Sequence, residues 1–279
     1  MPLDQIRDAA YASLEVAPEK VDSWLTAALG ENRAILEGAL EKARKGVMNS
    51  PLLGRGYMFL SQVAFLEGQT SVGSTQLVNQ AFAVRPYNGN IWLAIGETAF
   101  QQGDVEKAFK YRRLAFHQDE ECRQAIINGL ASKIPVTTFL QQFEPDEAGL
   151  RLLLRFYLVN GQEEYARVAA GFLGDHAVQR ARDTNGEISA ANWVRATLLY
   201  RMSGDNEQTL SCAATAAKTS PNSIRVRRTY ATELIRQQQW GLAIPELRWC
   251  LNRRPTDERI RRMLAIATRT ANVPGSPSR

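Results

Sequence analysis

Seven side chains near the end of the chain have the types and spacing to hold an anion. Arg225, Arg228, Thr232 and Arg236 follow one another at intervals of three, four and four, so on a helix they share one face. At about 100° per residue, Tyr230 and Leu234 point the other way, toward a core. Arg259 and Arg262 repeat Arg225 and Arg228 34 residues later, and Arg269 joins them. Guanidinium groups ranked along one face grip carboxylates or phosphates in bidentate fashion. The candidate ligands are an acidic peptide or C-terminal carboxylate, and an anionic glycan, lipid headgroup or nucleic acid. No aromatic side chains alternate with these arginines to stack on bases, which argues against nucleic acid. The plain alternative is that terminal helices carry charge for solubility alone.

Nothing else in the sequence has the pattern of a reactive centre. There is no phosphate-binding G-x-x-x-x-G-K-[ST] loop, no G-x-S-x-G elbow and no H-E-x-x-H pair. Gly54-Arg55-Gly56 lies in an apolar helical pattern and follows no strand, so it is not read as a phosphate loop. Glu120-Glu121 and Glu163-Glu164 are adjacent acids that diverge on a helix and read as solvated surface. His117 has no placed partner for general-base work, and the only other histidine is His176. Cys122, Cys212 and Cys250 lie far apart with no C-x-x-C spacing, and read as small buried hydrophobes. No enzyme activity, cofactor or metal is expected.

The elements that must position the arginines are helices. The 279 residues are 44% apolar and 23% charged, the balance of a folded protein, and the net charge of +5 is weak support for an anionic partner. No apolar run is long enough to span a bilayer. The opening MPLDQIRDAAYASLEV has an early acid and no apolar centre, unlike a signal peptide. Amphipathic segments of helical length alternate with short Gly, Asp, Asn or Pro punctuation, and runs of β-branched residues are missing. Helices are expected over 3–15 and 19–46, and Ser50-Pro51 reads as the start of another.

A 34-residue period organises the rest of the chain. Pro221 and Pro255 are 34 apart, as are Met58 and Trp92. Gly103, Gly161 and Gly204 sit where a helix must end in a left-handed residue. Gly96, Ala108, Ala115, Ala166, Ala216 and Ala243 are small where backbones would cross; Trp92, Tyr157, Trp193, Tyr200 and Tyr230 are large beside them. The period blurs over 119–145, where Pro135 and Pro145 bound a short helix with Phe139, Leu140 and Phe143. Residues 174–187 are polar, Asp183-Thr184-Asn185-Gly186 reads as a turn, and Trp193 opens the last regular repeats.

These residues resemble the tetratricopeptide repeat. One unit carries Trp92, Ile95-Gly96, Ala108 and Ala115; another Trp193, Tyr200 and Ala216; a third Ala243 and Pro255. Arg112 and Thr209 depart from it, standing where an aromatic and an alanine are usual. The resemblance implies an all-α fold, a right-handed superhelical solenoid of antiparallel helix pairs, degenerate in the middle. It also implies that the arginine-bearing face lines a concave groove for a protein or peptide. The family's peptide-carboxylate clamp uses Lys and Asn, where this face has Arg and Thr.

A narrower resemblance covers 51–145. Tyr57, Phe65-Leu66-Glu67-Gly68, Asn79-Gln80-Ala81, Val84 to Gly89 and Ala115-Phe116-His117 are similar to the soluble repeat tail of bacterial O-antigen ligase or polymerase-like membrane proteins. That resemblance implies an accessory or docking module in the cell envelope, tied to a membrane only through an upstream region.

The expected organisation is an N-terminal helical cap over 1–50, helical pairs over 51–145, further repeats with a closing helix over 146–272, and a disordered tail over 273–279. The expected function is a non-catalytic scaffold binding a protein partner, with Arg225, Arg228, Thr232, Arg236, Arg259, Arg262 and Arg269 as its charged contacts.

Overall fold

The computed structural model describes residues 38–52, 54–63 and 71–272. The helices expected at 3–15 and over 19–37, most of the turn after Phe65, and the tail at 273–279 lie outside the described residues. Among the described residues there are fourteen helices and no strand. The chain divides into two compact units, Met1–Gly129 and Leu130–Arg279.

In the first unit α1 covers 38–49, followed by α2 (Gly54–Val63), α3 (Ser71–Val84), α4 (Gly89–Gln101) and α5 (Val105–Gln118). Helix α6 (Glu120–Leu130) ends at the division. Each of α2 to α5 packs on its chain neighbour, and α2 also touches α4. Val78, Ala81, Ile91 and Ile95 form the core, walled by Tyr57, Met58, Phe82 and Tyr111. Gly96 is required there, because a Cβ would stand 3.0 Å from Arg112 Cγ and 3.1 Å from the Ala108 carbonyl oxygen.

The missing aromatic at Arg112 has a structural counterpart. Its side chain is 4% exposed and lies in the gap between α4 and α5. Its guanidinium donates to Glu97 Oε1 at 2.9 and 3.2 Å and stacks 4.8 Å from the Phe100 ring centre. The arginine stem fills the space of a ring while its head is neutralised at the rim.

In the second unit α7 (Val136–Phe143) precedes α8 (Glu147–Val159), α9 (Glu163–Arg182), α10 (Gly186–Ser203) and α11 (Asn206–Thr219). Helices α12 (Ile224–Arg236), α13 (Trp240–Arg253) and α14 (Glu258–Ala271) complete it. Each of α8 to α13 packs on the next, and α10 reaches α12 as well. Connections of two to four residues leave consecutive helices no arrangement but antiparallel. The core is a chain of small clusters, such as Ala196, Tyr200 and Cys212, then Ala190, Val194, Ala216 and Val226, then Ala231, Leu247, Cys250 and Ile260. This is the helix-pair architecture that the tetratricopeptide resemblance implies, in which every pair buries its apolar side on its neighbours.

The turns show the repeat most directly. Gly103, Gly161 and Gly204 have φ of 80°, 68° and 86°, the left-handed conformation expected of them. Asp104 and Asp205 then cap the next helix, accepting from the Lys107 and Gln208 amides. Gln238, 34 residues after Gly204, holds the same conformation at φ 60° without a glycine. Ser223 and Asp257, also 34 apart, both cap their helices.

Three local expectations are corrected. Ser50-Pro51 does not start a helix; α2 begins at Gly54, and Arg85 Nε bonds the Leu52 carbonyl in the intervening turn. Residues 174–182, expected to be polar, continue α9 to Arg182 on buried Gly174, Ala177 and Ala181, and the expected turn follows at Asp183-Thr184-Asn185. Gly186 opens α10 at φ 60°, so this helix starts two turns before Trp193. Over 119–145, where the period is expected to blur around a short helix between Pro135 and Pro145, α6 and α7 are helices of 11 and 8 residues, too short to hold the 34-residue phase.

Candidate functional site

Helices α10 and α12 open successive pairs and α14 follows them, and residues of all three line a cleft of about 170 Å³. Leu198 and Arg201 line it from α10, Arg228, Thr229, Thr232 and Glu233 from α12, and Arg259 from α14. At roughly 30 Å³ per water, the space admits a hydrated carboxylate or a phosphate group. Three of the seven sequence-predicted residues are thus brought together: Arg228, Thr232 and Arg259. Arg236 lies at its edge, with Nη1 3.9 Å from Glu233 Oε2. Arg225, Arg262 and Arg269 are exposed but do not line the cleft.

The helix geometry explains the gathering. Ser223 and Asp257 fix the starts of α12 and α14, which sets Arg228 and Arg259 at the same end of neighbouring helices. Apolar anchors on the opposite faces, Val226, Leu234 and Ile260, are buried and hold each helix in rotation. Tyr230, expected beside Leu234, is half-buried, and burial followed by the nearby Glu246 raises its phenol pKa.

Glu233 forms the floor, with only 2% of its side chain exposed. It accepts from Arg201 Nη1 at 3.2 Å, a contact from α10 to α12. Arg228 Nη1 stands 3.9 Å from Asp257 Oδ2, whose partner oxygen caps α14. The Thr232 and Thr229 hydroxyls donate to the Arg228 and Arg225 carbonyls at 2.8 and 3.0 Å, leaving only lone pairs to offer. The guanidinium of Arg259 has no acidic partner among the described residues. Four arginines therefore face two acids, and the excess positive charge is greatest beside Arg259. Leu198 and Met202, 42% and 43% exposed, continue the face one turn apart as an apolar shelf.

Arg201 and Glu233 are the cleft residues that the sequence did not single out. The position 34 after Arg201 is Ile235, so the repeat gives no hint of it. A glutamate three residues before Arg236 reads as an ordinary exposed pair, whereas this one is buried.

The other candidate groups occupy quieter places. Glu120, Glu121, Glu163 and Glu164 are exposed, and the His117 ring packs edge-on against Phe116 at 5.4 Å. The three cysteines are buried and form no disulfide. Burial, then the Asp119 hydrogen bond, pushes the Cys122 thiol up to about 12, and burial followed by Asp205 pushes Cys212 up to about 11. Among the described residues no group of three or more His, Cys, Asp or Glu could hold a metal ion. Nor is any described helix long and apolar enough to cross a membrane.

No protein-family model matches the chain, and no curated protein matches it. Among solved structures, it is similar to a chain of the APC/C hetero-tetramer Cut9–Hcn1, at 15% identity and a TM-score of 0.34, over 81% of this chain and 44% of that one. It is similar to a chain of Naa15/Naa10 bound to HypK-THB, at 14% identity and a TM-score of 0.37, over 90% of this chain and 39% of that one. A thermophilic tetratricopeptide-repeat protein from Thermus thermophilus aligns at 12% identity and a TM-score of 0.33, over 77% of this chain and 98% of that one. The chain thus spans less than half the length of the first two.

Proposed function

We propose that this chain is a non-catalytic scaffold of helical pairs that binds a partner protein on the face of α10, α12 and α14. An acidic segment of the partner enters the cleft and pairs with Arg259 and Arg228. The observation that carries this reading is the charge arrangement: Arg201 and Arg236 are held by buried Glu233, while Arg259 lines the cleft with no acid opposite it among the described residues. A carboxylate arriving there gains a charge-assisted contact without breaking one. Leu198 and Met202 beside it offer a resting place for an apolar side chain of the same segment.

Fluorescence anisotropy with a labelled glutamate-rich peptide, and a lysine-rich control, tests the reading. The chain binds the acidic peptide and not the control, and binding weakens as salt rises. Arg228→Glu with Arg259→Glu abolishes binding while circular dichroism stays unchanged. Equal binding by that double variant removes the proposal.

A further inference from the structure

Four asparagines are each followed by a glycine: Asn88, Asn128, Asn160 and Asn185. Such a step carries chemistry of its own, because glycine has no side chain to shield its amide nitrogen from the carboxamide carbon before it. Attack of that nitrogen closes a five-membered ring, and an intramolecular attack of this kind needs only that the two groups be free to meet. We propose that Asn185-Gly186 is a self-modification site, where Asn185 of the folded chain becomes aspartate or isoaspartate through a succinimide.

Hydrogen bonds separate this step from the other three. Asn88 Oδ1 accepts from the Ile91 amide at 3.2 Å, and Gly89 is buried, with room for a Cβ only 2.7 Å from Asp119 Oδ2. Asn128 Oδ1 accepts from Gln124 Nε2 at 2.9 Å, and Gly129 lies inside α6, where its amide belongs to the helix ladder. Asn160 Nδ2 donates to the Phe156 carbonyl at 2.8 Å, while the Gly161 amide donates to the Leu158 carbonyl at 3.3 Å. Asn185 stands at the start of α10 but makes no side-chain cap bond. The Gly186 amide, first in the helix, has no acceptor among the described residues, and both residues are exposed. Here alone both reacting groups are free and in water.

The step needs no reagent but water. The Gly186 nitrogen gives its proton to hydroxide and attacks Asn185 Cγ, so a nitrogen–carbon bond forms and the rate rises with pH. The side-chain amide nitrogen takes a proton from water and leaves as ammonia, which completes the succinimide. Water then adds to one of the two ring carbonyls. Breaking the bond from nitrogen to Cγ gives aspartate; breaking the bond from nitrogen to the main-chain carbonyl carbon gives isoaspartate, with the chain running on through Cγ. One water is consumed and one ammonia released. Either product sets a carboxylate at the N-terminus of α10, where negative charge is favoured. Isoaspartate also lengthens the main chain by one atom just ahead of Ser189, whose Oγ donates to the Ala181 carbonyl at 2.7 Å across the turn.

The test holds the whole folded chain in mildly alkaline buffer, digests samples over time and follows the four Asn-Gly peptides by chromatography and tandem mass spectrometry. The Asn185 peptide gains one mass unit at least roughly tenfold faster than the other three, and splits into aspartate and isoaspartate forms. In denaturing urea the four rates converge, because the hydrogen bonds that separate them are gone. Gly186→Ala crowds the attacking nitrogen and slows the Asn185 conversion at least roughly tenfold. Alanine is strained at the Gly186 φ of 60°, so the comparison with urea serves as a readout that needs no variant. The proposal is overturned if Asn185 converts no faster than the others in the folded chain, or if aspartate alone appears. It is equally overturned if urea leaves Asn185 as far ahead of the other three as it is in the folded chain.

Discussion

Replacing Glu147 with glutamine should destabilise the second unit, and by an amount that depends on pH. Glu147 opens α8 with its carboxylate 17% exposed, and arginines from three helices converge on it: Arg151 of α8, Arg180 of α9 and Arg195 of α10. Burial by itself would raise its pKa. The Arg151 hydrogen bond and charge, with Arg195 at 3.1 Å and Arg180, outweigh that and hold it below the ordinary value of 4.5. Glu147→Gln keeps the shape and leaves three guanidiniums facing one neutral amide. Charge-assisted bonds are worth about 1.5–3 kcal/mol each, but the arginines are 37–50% exposed and solvent screens part of this. A net loss of about 2–3 kcal/mol is expected, which lowers Tm by roughly 4–12 °C for a unit of this size. A carboxylate with a depressed folded pKa contributes fully above its unfolded value and progressively less as pH falls through its folded value. Urea unfolding of both proteins should therefore show the full gap at pH 7, and a gap that closes below about pH 4.5. A variant as stable as the parent at pH 7, or a gap independent of pH, would refute the reasoning.

Single positions give further outcomes. Gln238→Gly with Gln239→Asp gives the α12–α13 turn the residues of Gly204-Asp205, removing a left-handed glutamine and adding a cap where none is made. It should raise stability by about 1–2 kcal/mol, read as a higher Tm. Gly96→Ala should cost about 1–3 kcal/mol in denaturant titration, because its new methyl meets the Ala108 carbonyl oxygen at 3.1 Å. Ala243→Leu, at a site with no exposure, should cost a similar amount. A cost below about 0.5 kcal/mol at both would contradict the packing described for the helix crossings.

The parts of the fold that could be read from sequence are those in which one residue type has one physical use. Gly103, Gly161 and Gly204 were legible because the left-handed turn has few alternatives, and the buried alanines because close helices tolerate little else. Gln238 was not legible: its neighbours in the stack impose a conformation that its own side chain disfavours. The second half of α9 was hidden for the opposite reason. Gly174 packs under the Tyr200 ring, where a Cβ would come within 2.9 Å, so the bulk that fills the interface belongs to the other helix and leaves a polar-looking sequence. Of the arginine face, the spacing showed that Arg228, Thr232 and Arg259 lie on one side of their helices. It could not show which would enclose a space, because the cleft also needs Arg201 and Glu233 from outside the pattern.

The arginine guanidinium Nε–Hε resonances of an isotope-labelled chain, followed by NMR during titration with a glutamate-rich peptide, test the central claim most directly. Shifts at Arg228 and Arg259 that saturate together, with Arg225 and Arg269 little changed, are the predicted result. Uniform small shifts across all arginines, or none at Arg259, would contradict it.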